Sequence, residues 1–172
     1  MKQFFVTGGA GFIGSAFARL LLDAYPDCEI VNFDALTYAG NLDNLAGLDE
    51  RRHHFIRGDA ADREAVRAAL PENADAIFHL AAESHVDRSI LSADEFIRAN
   101  VLGTQVLLDA ARERGARRVV FISTDEVMGS ANRRRQVARD RKDQQCFRRI
   151  CRRGFQRRLD LVQMSALQEG FP

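Results

Sequence analysis

The 172-residue sequence has few of the residues that build disulfide-bonded, metal-binding or membrane-spanning structures. Its three cysteines, Cys28, Cys146 and Cys151, provide neither a disulfide framework nor a paired C-x-x-C metal site. No apolar run is long enough to cross a membrane, and no secretory leader precedes the first glycines, so we expect a cytoplasmic protein without a metal. The length and a hydrophobic fraction of 46% predict one globular domain.

Lysine is nearly absent, and the charge is unevenly distributed along the chain. Residues 1–130 contain 13 Lys and Arg against 20 Asp and Glu, a net charge of −7. Residues 131–172 contain 12 Lys and Arg against 4 Asp and Glu, a net charge of +8. Of these 12 basic residues, 11 are arginines. Such a change of sign marks a boundary, so we divide the chain near Ser130 into a first domain and an Arg-rich tail.

Apolar runs and helical patterns alternate through the first domain. The predicted strands are 3–7, 29–33, 53–57, 76–80 and 118–123, and the predicted helices are 13–24, 42–47, 63–70 and 93–114. Asp62 is the expected N-cap of the helix at 63. The last helix has an apolar face made of Phe96, Ile97, Val101, Val106, Leu107, Ala110 and Ala111. This alternation predicts an α/β fold with a doubly wound parallel sheet, the Rossmann fold.

A glycine motif lies between the first predicted strand and the first predicted helix. Gly8, Gly11 and Gly14 have the spacing that lets a backbone turn tightly, admits a pyrophosphate and brings a helix close to the sheet. Asp34 follows Gly14 by twenty residues at the end of the second strand, where a carboxylate binds ribose hydroxyls and repels a 2′-phosphate. The motif therefore predicts a site for NAD rather than NADP, and the alternative is a glycine turn that binds nothing.

Histidines offer a weaker signal than the glycines do. His79 and His85 have no third ligand at a familiar metal spacing, so we expect His79 to pack at the end of its strand. His53 and His54 are expected at the start of a strand. Asp87 and Arg88 either form a local ion pair or have a structural role beside a substrate.

Four sequence blocks carry a specific resemblance. They are TGGAGFIG (7–14), FDALTYAGNL (33–42), HLAAESHVDRSI (79–90) and FISTDEVMG (121–129). Over about residues 2–130 the chain resembles the dTDP-glucose 4,6-dehydratases, nucleotide-sugar lyases of the extended short-chain dehydrogenase/reductase family, which are typically homodimers. The Thr124-Asp125-Glu126 triplet separates these dehydratases from the related epimerases and decarboxylases.

The resemblance implies a cofactor site for NAD and a substrate site for dTDP-glucose. Phe12 and Ile13 would flank the pyrophosphate turn, and Ser84 and Thr124 would contact the sugar. Ala99 stands where the family commonly has a cofactor-contacting threonine. The other implied cofactor residues are Asp34, Ala35, Leu36 and Thr37 at the adenosine ribose, Asp59 and Ala60 at the adenine, and Leu80, Ala81, Ala82, Glu83 and Ser84 beneath the nicotinamide ribose.

The same resemblance assigns the acid–base chemistry. Asp125 would be the acid at the C6 hydroxyl, Glu126 the base at C5, and Thr124 a hydrogen-bond partner of the C4 oxygen. Two adjacent carboxyl groups in different environments can supply both roles. The alternative, from position alone, is that both carboxylates are solvated charges after a strand.

The family's Tyr-x-x-x-Lys pair is absent from this sequence. The two tyrosines are Tyr25 and Tyr38 and the two lysines are Lys2 and Lys142, so no such spacing occurs. Residues 131–172 also depart from the family pattern, and we expect an out-of-frame or truncated product that is inactive. The tail would be disordered or helical, because Phe147, Ile150, Cys151, Phe155, Leu159 and Val162 follow helical spacing.

Other functions of the tail and of the chain remain open at this point. A basic amphipathic helix could lie on a membrane or cover the sheet, and arginine clusters could bind nucleic acid, although we expect neither membrane nor nucleic acid as a partner. The alternatives for the whole chain are a non-catalytic NAD-binding module with a partner-binding tail, and a nucleotide-sugar epimerase or decarboxylase.

Overall fold

The computed structural model describes residues 1–84, 93–123 and 160–163 of the chain. Within these residues six strands form one parallel sheet in the order β3-β2-β1-β4-β5-β6. They are β1 (Lys2–Thr7), β2 (Cys28–Asp34), β3 (His53–Arg57), β4 (Ala76–His79), β5 (Val119–Ser123) and β6 (Asp160–Gln163). The chain runs outward from β1 to β3 and then crosses to β4 on the other side of β1. This is the doubly wound order, so the predicted fold class is confirmed.

Both faces of the sheet are buried at the central strands β2, β1 and β4, which explains why these strands read as largely apolar runs. Successive side chains of a strand point to opposite faces. Phe4 packs on one face with Ile30 and with Leu21 of the first helix. Phe5 packs on the other face with Ile77 and with Leu107 of the last described helix. A parallel strand in the middle of such a sheet therefore needs apolar residues at every position.

The helices begin and end close to the predicted limits. α1 spans Phe12–Ala24, a 3₁₀ turn spans Leu42–Leu45, and α2 spans Arg63–Ala69. The Asp62 side chain accepts hydrogen bonds from the N–H groups of Glu64 and Ala65, so the predicted N-cap of α2 is confirmed. The third helix, α3, consists of an α-helical turn (Ala93–Phe96), a π-helical segment (Ile97–Leu102) and a second α-helical part (Gly103–Glu113).

The predicted apolar face of α3 is correct only for its second half. Val106, Leu107, Ala110 and Ala111 are buried, but Ile97 and Val101 are exposed, at 57% and 61%. The physical reason is the π-helical segment, in which the N–H of Gly103 donates to the carbonyl of Arg98, five residues back. The wider turn breaks the regular 3.6-residue period, so the first apolar residues no longer share a face with the later ones.

The Arg-rich tail contains a strand where its spacing predicts a helix. Asp160–Gln163 pairs in parallel with Val120–Ser123 of β5 and adds β6 to the sheet. Val162, the last residue of the predicted helical pattern, lies in this strand. The rest of the pattern lies outside the described residues. An edge strand leaves a row of unpaired N–H and C=O groups, and a further strand satisfies them. At Val162 this pairing takes the place of the predicted helical pattern.

Candidate functional site

The segments predicted to form the site follow the carboxyl ends of neighbouring strands. Gly8 follows β1, Ala35 follows β2, residues 59–60 come shortly after β3, and Leu80 follows β4. Because all these strands are parallel, the segments meet at one edge of the sheet. Ligands of open α/β sheets bind at this edge. The structure therefore brings these predicted segments together at one edge of the sheet.

The three motif glycines differ in what an added side chain would contact. Gly8 has a φ of +73°, and an added Cβ would lie 2.6 Å from the backbone nitrogen of Ala81. A Cβ on Gly14 would overlap the carbonyl oxygen of Gly8. A Cβ on Gly11 would find only ordinary contacts, at 3.4 Å from the Gly8 oxygen and 3.8 Å from the Ala39 oxygen. The backbone packing thus requires glycine at positions 8 and 14, whereas position 11 would accommodate a Cβ without a clash.

The N-terminus of α1 lies at the same glycine turn. Gly11 is the N-cap residue, makes no side-chain capping hydrogen bond, and no acidic residue lies in the first turn. The first N–H groups of a helix have no partner inside the helix, and the helix dipole makes this end positive. Phe12 is 89% exposed beside it. The turn therefore has the chemistry of an anion site, and it fits a pyrophosphate.

Asp34 links the glycine turn to the loop after β2. Its carboxylate accepts hydrogen bonds from the N–H of Ala10 at 2.9 Å and from the N–H of Leu36 at 2.8 Å. Leu36 adopts a φ of +53°, which this side-chain hydrogen bond helps to hold. The side chain is only 9% exposed. Each carboxylate oxygen has a further lone pair, so Asp34 keeps acceptor capacity for ribose hydroxyls.

Arg98 binds Asp59, a contact that the sequence did not reveal. The Asp59 carboxylate accepts from the N–H of Ala61 at 2.8 Å and from Nε and Nη2 of Arg98 at 3.1 and 2.8 Å. Arg98 lies in the π-helical segment of α3. Ala60 is buried, and a Cβ on Gly103 would lie 3.3 Å from the Ala60 Cβ. Together these contacts hold α3 against the loop after β3.

Asn100 holds the loop after β4. Its Oδ1 accepts from the backbone N–H of Glu83 at 2.8 Å, and its Nδ2 donates to the backbone carbonyl of Glu83 at 2.9 Å. The N–H of Leu80 donates to the Thr7 carbonyl at 3.1 Å. Ala99, next to Asn100, is half-buried and has no side-chain oxygen. In the same loop Ala82 and Ser84 are exposed. The sequence placed residues 80–84 at the site but did not identify Asn100 as their anchor.

His79 packs at the end of β4, as predicted. It is 1% exposed, its Nδ1 lies 2.7 Å from Thr7 Oγ1, and its Nε2 lies 3.0 Å from Thr104 Oγ1. The Thr104 hydroxyl donates to the Asn100 carbonyl, so it must accept from the Nε2–H of His79. Nδ1 is then the acceptor for the Thr7 hydroxyl. Burial lowers the pKa of His79 to about 4, so the ring is neutral at pH 7.

His53 opens β3, as predicted, and is half-buried. Its Nε2 lies 3.0 Å from Asn32 Nδ2, and burial lowers its pKa, with smaller contributions from His54 and Arg19. Among the described residues no three His, Cys, Asp or Glu side chains are grouped to hold a metal ion. The helices of this part of the chain also include none that is long and apolar enough to span a membrane.

Comparison with known proteins identifies the family. The sequence model of the GDP-mannose 4,6 dehydratase family matches residues 5–144, which is most of the chain. The chain belongs to this family. The matched range continues past Ser130, where the change of charge suggested a boundary.

The curated relatives of this dehydratase family member include a glycan biosynthesis protein and dTDP-glucose 4,6-dehydratases. It is 58% identical over 125 residues to the low-salt glycan biosynthesis protein Agl12 of Haloferax volcanii, covering 72% of this chain and 40% of that protein. It is 53% identical over 128 residues to the dTDP-glucose 4,6-dehydratase of Streptomyces griseus, covering 73% and 38%. The resemblance predicted from the four sequence blocks is thus confirmed. The chain spans about two fifths of the length of these relatives.

Solved structures of two related enzyme classes share the fold of this family member. DesIV, a dTDP-glucose 4,6-dehydratase from Streptomyces venezuelae solved with NAD, has a TM-score of 0.70 and 52% identity, covering 76% of this chain and 42% of that one. The UDP-glucose 4-epimerase of Thermotoga maritima has a TM-score of 0.63 and 30% identity, covering 71% and 38%.

The structure brings the predicted cofactor segments of the dehydratase family member to one edge of its sheet, while other predicted residues lie outside the described ones. The latter are the candidate catalytic residues Thr124, Asp125 and Glu126, together with Asp87 and Arg88. β5 ends at Ser123, the residue before Thr124. Arg98 and Asn100 are the additions to the site. Their signal in the sequence was only their position beside Ala99.

Proposed function

We propose that this chain binds NAD at the carboxyl edge of its sheet, as the cofactor-binding part of a dTDP-glucose 4,6-dehydratase. The observation that carries the proposal is the N-terminus of α1, which begins after the tight glycine turn without a side-chain cap and lies beside the buried carboxylate of Asp34. Membership of a 4,6-dehydratase family and likeness to a dehydratase solved with NAD support it.

Each segment of the edge would bind one part of the dinucleotide. The pyrophosphate would lie at Gly8, Gly11 and Gly14, with the N–H groups of Phe12 and Ile13 directed at it. Ribose hydroxyls of the adenosine would donate to Asp34, in a loop completed by Ala35, Leu36 and Thr37. The adenine would lie at Asp59 and Ala60, and the nicotinamide ribose would lie above residues 80–84 and Ala99. Arg98 and Asn100 would hold these last two loops in place.

Acid and base for the elimination would come from the residues after β5. A bound NAD⁺ would supply the hydride chemistry, as acceptor of the C4 hydride of the sugar and as its donor back to C6. Removal of this hydride together with the proton of the C4 hydroxyl would leave a C4 ketone that makes the C5 proton acidic. Glu126 would remove this proton, Asp125 would protonate the departing C6 hydroxyl, and Thr124 would hold the C4 oxygen while Ser84 contacts the sugar. Positioned groups of this kind each contribute about a hundredfold to ten-thousandfold in rate.

A non-catalytic NAD-binding module is the second candidate. The observation that favours it is the absence of a Tyr-x-x-x-Lys pair from the sequence. In such a pair the lysine charge lowers the pKa of the tyrosine, which then takes the proton of the C4 hydroxyl. An epimerase is disfavoured by the Thr124-Asp125-Glu126 triplet, although epimerase structures share the fold.

Calorimetric titration with NAD and NADP tests the cofactor proposal. We expect the chain to bind NAD and to prefer it to NADP, because the buried Asp34 carboxylate repels a 2′-phosphate. Asp34→Asn removes the charge but retains one acceptor oxygen, so this variant should lose most of the preference. Asp23→Ala, at an exposed position near the end of α1, is the matched control and should keep it.

Two results would contradict the proposal. Equal affinity of the unmodified chain for NAD and NADP would contradict the proposed repulsion of a 2′-phosphate by Asp34. Absence of binding to either dinucleotide, by a chain whose circular dichroism shows folded helices, would remove the site itself.

A further inference from the structure

Tyr38 and Glu83 join two loops across the candidate site. The Tyr38 hydroxyl donates to Oε1 of Glu83 at 2.7 Å, although the two residues are 45 positions apart. Tyr38 lies in the loop after β2, and Glu83 lies in the loop after β4. A phenol that donates to a carboxylate at this distance makes a charge-assisted hydrogen bond, which is stronger than one between neutral groups.

Both ends of this bridge are anchored by other hydrogen bonds. Glu83 is fixed through its backbone N–H and C=O, which Asn100 binds at 2.8 and 2.9 Å. The loop that carries Tyr38 is fixed on one side by the Leu36 N–H to Asp34 and on the other by the Asn41 N–H to the Ala10 carbonyl. The two side chains therefore meet from defined positions.

The topology places the two bridged loops on either side of the glycine turn. β1 lies between β2 and β4 in the sheet, so the loops after β2 and β4 flank the turn that follows β1. On one flank Ala39 O lies 3.8 Å from the Cβ position of Gly11, and on the other Ala81 packs on Gly8. A link between the flanking loops therefore joins the two sides of the turn at which the pyrophosphate is proposed to bind.

We propose that Tyr38 and Glu83 form a strap that closes over a bound dinucleotide and slows its release. This inference rests on the proposed NAD site. In the proposed reaction the hydride leaves the sugar and returns to it within one turnover, so the dinucleotide ends as NAD⁺ and has no need to exchange. A side-chain strap across the pyrophosphate turn retains it between turnovers. Tyr38 and Glu83 are positioning residues in this scheme and take no part in the chemistry.

Dissociation kinetics of NADH from the full chain test the strap. The chain has no tryptophan, so NADH fluorescence can be followed directly in a stopped-flow displacement with excess NAD⁺. We expect Tyr38→Phe to release NADH roughly three- to tenfold faster, the effect of one hydrogen bond, with association unchanged. Tyr25→Phe is the matched control, because Tyr25 follows α1 and contacts Phe4 in β1, away from the site.

A double-mutant cycle separates the strap from a general structural effect. Glu83→Ala should release NADH as fast as Tyr38→Phe, and Glu83→Gln should be intermediate because its amide oxygen still accepts the Tyr38 hydroxyl. The double variant Tyr38→Phe/Glu83→Ala should be no faster than either single variant. Additive effects would overturn the strap.

Three further results would overturn the inference in distinguishable ways. Equal dissociation rates for Tyr38→Phe and Tyr25→Phe would remove the strap and leave the NAD site intact. Faster association with unchanged dissociation would mean that the bridge blocks the empty site. Failure of the unmodified chain to bind NADH would overturn the proposed function together with the strap.

Discussion

Separate replacement of Gly11 and Gly14 by alanine is expected to uncouple folding stability from dinucleotide binding. An alanine methyl at position 14 would overlap the Gly8 carbonyl oxygen and lie 2.7 Å from the Gly9 Cα. Both are backbone atoms, which cannot move without displacing the turn. At position 11 the methyl would have ordinary contacts, and the backbone φ of −75° suits any residue.

The magnitudes follow from these contacts. Overpacking costs about 1–3 kcal/mol, and rigid backbone neighbours favour the upper end, whereas alanine gains about 1 kcal/mol over glycine inside a helix. Gly14→Ala should therefore lose about 2 kcal/mol of unfolding free energy, a decrease in Tm of roughly 4–8 °C. In Gly11→Ala the lower entropy of the unfolded chain stabilises the folded state by about 0.4–1 kcal/mol. Alanine is a poorer N-cap residue than glycine, which destabilises the folded state by a similar amount. Its stability should change by less than about 0.5 kcal/mol.

Thermal unfolding and calorimetric titration of both variants provide the assay. Gly11→Ala should melt like the unmodified chain but bind NAD roughly tenfold or more weakly, because its methyl would stand where the pyrophosphate is proposed to approach the turn. The reasoning fails if Gly11→Ala keeps full NAD affinity, or if Gly14→Ala melts at the temperature of the unmodified chain.

Two further predictions concern pH and turnover. The neutral His79, with a pKa of about 4 against 6.5 in an unfolded chain, should make the folded state less stable as the pH falls from 6.5 to 4, by about 2 kcal/mol between pH 7 and 5. Urea denaturation of His79→Gln should show a smaller pH dependence, and an equal one would contradict the assignment. The chain incubated with NAD⁺ and dTDP-glucose should not form the 4-keto product, detected by its alkaline absorbance, at a rate near the family's, because it has no Tyr-x-x-x-Lys pair. Robust turnover that Glu126→Gln abolishes would refute this expectation and support the role of Glu126.

Local sequence patterns were sufficient for most of the fold. The first five strands and the first two α-helices lie within two residues of their predicted limits, because apolar runs, the glycine turn and the Asp62 cap act over a few neighbouring residues. The meeting of the candidate segments at one edge followed from the same patterns, since parallel strands end at one side of a sheet.

Local patterns failed where a distant contact competes with them. The period of α3 breaks at the π-helical segment, which also carries Arg98 and Asn100, the residues that reach the loops after β3 and β4. The strand at Asp160–Gln163 pairs with β5 although its surroundings in the sequence have helical spacing. Neither outcome can be read from a window of a few residues.

The sequence by itself determined the alternation of strands and helices, the glycine turn and the acidic residue at the end of β2, because each depends on residues close together in the chain. Only the tertiary structure showed that a Cβ would clash with the backbone at Gly8 and Gly14 but would be accommodated at Gly11. It alone revealed the hydrogen bonds between Asp59 and Arg98, between Glu83 and Asn100, and between Tyr38 and Glu83. These pairs are 17 to 45 residues apart. Hydrogen bonds over such separations depend on which strands become neighbours, and that choice is made when the sheet assembles.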